Sequence, residues 1–187
     1  YDIEADNIQI YEGTPPNDVI EYLNIVSDKS EEAVYERLCQ MIDVQSFIDY
    51  YASMLYLNNS DWLNYNARCY RSIEVGSGRN EDGKWRWGVW DVETTMYNAQ
   101  VDTFHNGNIF SWDEDLLAQT LMDHEAFRKQ FVITYMDLYN TIWQEDNILP
   151  IVSELEKNIS HSYCMYLERF WEGHERNEFT DKVKTFF

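Results

Sequence analysis

Basic residues are scarce in this 187-residue chain: 14 lysines and arginines stand against 34 aspartates and glutamates, a formal net charge of -20. That balance argues against a nucleic-acid partner, because neutralising phosphates needs a basic face. It argues equally against an anionic membrane surface. Beyond its plain role in solubility, a field of this sign draws basic substrates and divalent cations. Cysteine is also sparse. Cys39, Cys69 and Cys164 lie far apart with no CxxC pair, which removes the usual zinc-site spacing. They read as buried free thiols, with one disulfide left open as an alternative. His105, His124, His161 and His174 have no metal-like spacing, and His161 is expected to face another helix. No run of about 18 apolar residues exists to span a membrane, and there is no repeat or low-complexity tract. The chain opens at Tyr1 without an initiator Met or a signal peptide, which points to an excised fragment or a processed chain.

What is abundant is core material. Hydrophobic residues make up 44% of the chain and aromatics 16%, including 7 Trp and 14 Tyr. A chain of this length most simply forms one domain with a sizeable core.

The order of elements follows from periodicity and punctuation. Residues 1–15 read as a short extended segment and a turn, closed by Pro15 and Pro16. Val19, Ile20, Leu23 and Val26 give a helix from Pro16 to about Val26 its apolar stripe. Ser30 is the expected cap of a second helix, with Ala33, Val34, Leu38, Met41 and Ile42 inward. Asp43 is the expected cap of a third, Val44 to about Leu57, the most apolar so far and so expected to be central. Residues 67–73 and 84–90 read as strands of a hairpin whose turn carries Asp82 and Gly83. Period-2 alternation puts Trp85, Trp87 and Val89 on the buried face and Lys84, Arg86, Gly88 and Trp90 on the other. Residues 92–111 have no period and read as a long loop. Helices are expected over Trp112–Asp123, Glu125 to about Trp143, and about Leu149 to Phe170 with Pro150 near its start, then a short closing helix. Asp113, Glu114 and Asp115 read as an acidic helix start suited to the dipole. The fold class is mostly α (α+β): a helical domain with a central β-hairpin.

Inside that frame one constellation carries chemistry. Asp61 sits in a polar loop after the third helix, Asn66 follows five positions on, and Asp91 closes the hairpin with Glu93 two residues later. Phosphoryl transfer needs a group to orient the attacking hydroxyl and oxygen ligands for Mg²⁺ on the phosphates. Asp61 suits the first task, and Asn66, Asp91 and Glu93 suit the second. The order Asp-x4-Asn, strand, turn, strand, Asp is that of a kinase catalytic loop followed by a metal loop. The spacing alone is weak, since Asp and Asn also make turns. His-Arg before Asp61 and Phe-Gly after Asp91 are absent.

Several stretches together resemble the CotH family of spore coat protein H-like atypical protein kinases. They are Asp43 to Tyr51, Leu57 to Asn66, Cys69 to Arg71, Gly83 to Trp85, Val89 to Glu93, Phe127 to Thr141 and Asn158 to Trp171. The likeness spans roughly residues 16–172. It implies a divergent kinase-like fold, with the whole chain (1–187) as one domain like a kinase C-terminal lobe. It also implies ATP- and Mg-dependent phosphorylation of Ser/Thr in a protein substrate, and a bacterial spore coat, cell surface or secreted setting. By position, Asp61 resembles the catalytic aspartate, and Asn66 and Asp91 the metal ligands. Glu93 stands where the family pattern has an aspartate. Trp87 could border the adenine and Arg71 could reach a phosphate, although core packing and a surface ion pair are the plainer roles of each. No glycine-rich loop with a following strand Lys precedes Asp61, so the nucleotide-clamping lobe is expected to be missing from this chain, leaving it inactive alone. The rival expectation is a non-enzymatic surface-adhesion or spore-coat module with a vestigial site.

Overall fold

A computed structural model describes residues 7–59, 62, 66–96 and 115–170. In chain order the elements are β1 (Ile8–Glu12), α1 (Asn17–Ile25), α2 (Glu32–Met41), α3 (Val44–Tyr56), β2 (Arg68–Ser72), β3 (Arg86–Gly88), α4 (Leu116–Asp123), α5 (Glu125–Thr141) and α6 (Glu145–Phe170). The fold is mostly helical, with the hairpin enlarged to a three-stranded antiparallel sheet in the order β1-β2-β3. The first extended segment supplies the extra strand: Tyr11 pairs with Cys69, which pairs in turn with Trp87. The described residues up to Thr95 and from Asp115 to Tyr135 form one compact unit, and Met96 with those from Met136 onward belongs to a second.

The core of the first unit is built on α3. Asp43 caps the helix, its carboxylate accepting from the Ser46 amide at 3.0 Å. Seven of its 13 residues are buried: Phe47, Ile48, Tyr50, Tyr51, Ala52, Met54 and Leu55. The Phe47 ring stacks on Tyr51 at 3.9 Å and meets Trp87 and Phe127 edge-on at 4.9 and 5.9 Å. One aromatic thus ties α3 to the sheet and to α5. The sheet docks on the helix start through backbone bonds: Asp43 N–H donates to Trp85 O and Trp85 N–H to Met41 O, both at 2.9 Å.

The hairpin departs from simple alternation. Strand β3 ends at Gly88, so Val89 is exposed rather than buried. Arg86, expected outside, is only 6% exposed. Its guanidinium pairs with Asp82 (2.8 Å) in the turn and Asp43 (3.0 Å) at the α3 cap. A lone buried cation would cost several kcal/mol (~3–5), so the two carboxylates are what allow Arg86 inside. The Arg86 hydrogen bonds hold the Asp82 carboxyl down at about 2. Gly83 supplies the left-handed turn position (φ 72°) that the Asp-Gly pair signals.

Other boundaries moved for local reasons. Ser30 does not cap α2. Its amide and hydroxyl both bond Asp28, and the helix starts two residues on, at Glu32. Helix α6 starts at Glu145, so Pro150 lies inside it. Its first-turn amides at Asn147 and Ile148 are taken up by Gln144 O, which extends the helix ahead of the proline. His161 is exposed, as Ala33 is on α2. The three cysteines are free, and of them only Cys69 is fully buried. The start of the Trp112 helix, the middle and end of the long loop and the closing helix lie outside the described residues.

Candidate active site

The loop from Asn58 to Asn66 is placed by α3 at both ends. Helix α3 terminates in a Schellman motif, with Asn58 in the left-handed conformation (φ 49°) just past the C-cap. The Asn59 amide donates to Met54 O at 3.0 Å and the Asn58 amide to Leu55 O at 3.2 Å, satisfying the last helical carbonyls. Asparagine tolerates that conformation better than most residues. At the far end, the Tyr50 hydroxyl donates to the Asn66 backbone carbonyl at 3.3 Å. Between them Trp62 is 2% exposed, its ring edge-on to Tyr51 at 4.6 Å and Tyr50 at 5.6 Å. Asp61, next to Trp62 in the chain, lies outside the described residues.

The second segment follows β3. Asp91 is exposed and adopts φ 51°, a left-handed conformation uncommon for a residue with a side chain. A tight turn comes next, closed by the Thr95 amide (3.1 Å) and hydroxyl (2.8 Å) on Val92 O. Glu93 and Thr94 form its apex. The Thr94 hydroxyl donates to Asn59 Oδ1 at 2.9 Å. Asn59 is 4% exposed and also donates from Nδ2 to Met54 Sδ at 3.6 Å. The turn after Asp91 is therefore bonded to the start of the loop that carries Asp61 and Asn66.

A buried polar chain joins α3 to α4. The Tyr51 hydroxyl donates to Asp115, which caps α4 by accepting from the Ala118 amide at 3.0 Å. Burial pushes the Asp115 carboxyl up to about 6, with the Tyr51 and Ala118 bonds working against that rise. Burial, with Asp115 alongside, also pushes the Tyr51 hydroxyl well above its usual value. Asp115 thus does more than complement a dipole: it fastens α4 to α3.

Arg71 and Trp87 are occupied by the fold. Arg71 pairs with Asp18 at 2.7 Å, donates to Gln9 at 2.9 Å and lies 4.4 Å from the centre of the Trp85 ring. Trp87 donates from its indole to Thr14 at 3.1 Å and from its amide to Ser46 at 3.0 Å, and is 6% exposed. Its edge borders a cleft of about 390 Å³ between α3 and the hairpin, shared with Asp49, Tyr70 and Val89.

Asn66, Asp91 and Glu93 offer only oxygen donors, the chemistry Mg²⁺ prefers. Among the described residues no three His, Cys, Asp or Glu side chains gather closely enough to hold an ion. Sequence reasoning missed Asn59, Thr94, Tyr50 and Asp115. Asn59 stands among turn formers and Thr94 in a stretch without period, and only their pairing across 35 positions distinguishes them.

A family described as CotH kinase protein matches residues 4–186 of the chain. No curated protein and no solved structure matches it.

Proposed function

This chain belongs to the CotH kinase family, and from that premise we propose that it carries the catalytic-loop part of an ATP- and Mg-dependent protein Ser/Thr kinase. The observation that carries the reading is the 2.9 Å bond from Thr94 to Asn59, which sets the segment after Asp91 against the start of the Asp61–Asn66 loop. Asp61 orients the acceptor hydroxyl and takes its proton. Asn66 and Asp91 supply oxygens for Mg²⁺, with Glu93 as a third donor at the turn apex. The ion would neutralise charge on the phosphates. Bonds at Asn59 and at Asn66 hold the two ends of that stretch, and positioning is most of what a protein contributes to phosphoryl transfer. Arg71 and Trp87 support the site through the sheet.

The test is phosphotransfer from ATP to a protein acceptor by the full-length protein, with Asp61→Ala as the comparison. Loss of general-base assistance should lower the rate about 10²-fold or more. Equal rates would remove the assignment and leave the non-enzymatic surface or coat module as the reading.

A further inference from the structure

We propose that the cleft between α3 and the hairpin binds a guanidinium group, the head of an arginine side chain presented by a partner protein. The sheet beside it already builds such an arrangement twice from its own residues. Arg68 pairs with Glu12 at 2.9 Å and lies 3.6 Å from the centre of the Trp90 ring. Arg71 pairs with Asp18 at 2.7 Å and lies 4.4 Å from the centre of the Trp85 ring. In both, a carboxylate accepts from the guanidinium while an aromatic ring meets the flat cation, a combination that favours arginine over lysine. The cleft holds the carboxylate and the rings of a third such arrangement without its arginine. Asp49 lines it from α3, and Tyr70 and Trp87 line it from β2 and β3. Asp49 accepts from Gln45 Nε2 at 2.8 Å, and among the described residues no lysine or arginine pairs with it.

Size and charge point the same way. A volume of about 390 Å³ has room for a side chain rather than a lone water. The Tyr70 hydroxyl bonds no described residue, so it can accept from a guanidinium N–H beside Asp49. Arg86 also borders the cleft, but its charge is already shared by Asp43 and Asp82. The other Asp43 oxygen accepts from the Ser46 amide. Asp49 is therefore the lining carboxylate left for a new cation, and the chain's net charge of -20 draws basic segments toward it. The inference stands apart from the kinase reading, in which Asp49 has no role.

The experiment is an NMR titration of the full-length protein with acetyl-Gly-Arg-Gly-amide, and with the same peptide carrying Lys or Gln in place of Arg. Asp49→Asn and Tyr70→Phe are titrated alongside. The first keeps the acceptor for Gln45 and removes the charge; the second keeps the ring and removes the hydroxyl. The arginine peptide should shift the Asp49, Trp87 and Val89 amides saturably, with a Kd on the order of 1 mM, as a partly exposed ion pair allows. The lysine peptide should bind several-fold more weakly and the glutamine peptide should leave these signals unmoved. Asp49→Asn should weaken arginine-peptide binding about tenfold and Tyr70→Phe about threefold. Wild-type affinity in Asp49→Asn would overturn the proposal, and so would a lysine or glutamine peptide that binds as well as the arginine one. Shifts that never saturate and spread over the acidic surface would overturn it too, by reducing the effect to general charge attraction.

Discussion

Helices α3 and α6 carry similar apolar stripes and have opposite environments. The 13-residue α3 buries seven side chains, while the 26-residue α6 has no buried residue among those described. Along α6, Ile151, Leu155, Ile159, Tyr166 and Phe170 recur at helical spacing and are each about half exposed or more. Along α3, Phe47, Ile48, Tyr51 and Leu55 have similar spacing and are essentially inaccessible. The contrast teaches that period 3.6 specifies a helix with an apolar face but does not supply the surface that covers it. For α3 that surface comes from β3, α5 and Trp62, and the candidate site is built on the covered helix.

The contrast can be broken at several points, beginning with the largest expected effect. Phe47→Ala should cost about 3–5 kcal/mol, because three aromatic partners close around the ring and cannot collapse into the space. Chemical denaturation measures it, and a cost below about 1 kcal/mol would mean that α3 is not the core.

A smaller effect is expected at Asp115, the polar anchor of α3 to α4. Its folded-state value of about 6 lies above the ordinary carboxylate range. Its contribution is therefore fully present below about pH 4 and is lost as pH rises through 6. The size is roughly 2–3 kcal/mol, because the same carboxyl titrates near pH ~4 once the chain unfolds. Asp115→Asn keeps a capping side chain that can accept from Tyr51, so it should flatten the fall in stability between pH 4 and 6. Asp82, held at about 2, contributes in the opposite direction: its stability is present above about pH 4 and is lost as pH falls toward 2. The difference between variant and wild type isolates Asp115.

Tyr50→Phe removes the hydroxyl that holds Asn66, and about 1 kcal/mol of stability should go with it. Mg–ATP affinity should fall too, whereas a core-filling role for the ring alone would leave that affinity intact. The smallest effect belongs to α6: Leu155→Ser should stay within about 0.5 kcal/mol, as exposed substitutions usually do. A cost above 2 kcal/mol would show the helix to be covered in solution and erase the contrast with α3.

How much of this was legible depended on range. Asp43 as a cap, α3 as the central helix and the Asp82–Gly83 turn all follow from neighbours a few residues apart, where local chemistry decides. The third strand was not foreseen, because Tyr11 finds Cys69 only across the fold. Arg86 was placed on the wrong side for the same reason. Alternation assigns a face, but an arginine goes inside when carboxylates 4 and 43 positions away meet it there. In the candidate site, Asp61, Asn66, Asp91 and Glu93 are marked by order and spacing alone. The residues that hold these segments together, Asn59, Thr94, Tyr50 and Asp115, act through contacts 16 to 64 positions apart, with no local signature.

The central claim is that Asn66 and Asp91 serve one Mg²⁺–ATP site. A double-mutant cycle of Mg–ATP affinity in the full-length protein tests it most directly, using Asn66→Ala, Asp91→Asn and their combination. Two ligands of one ion should couple, so the double variant should bind about as weakly as the worse single one. Strictly additive losses, or an Asp91→Asn variant that binds as the wild type does, would contradict a shared site.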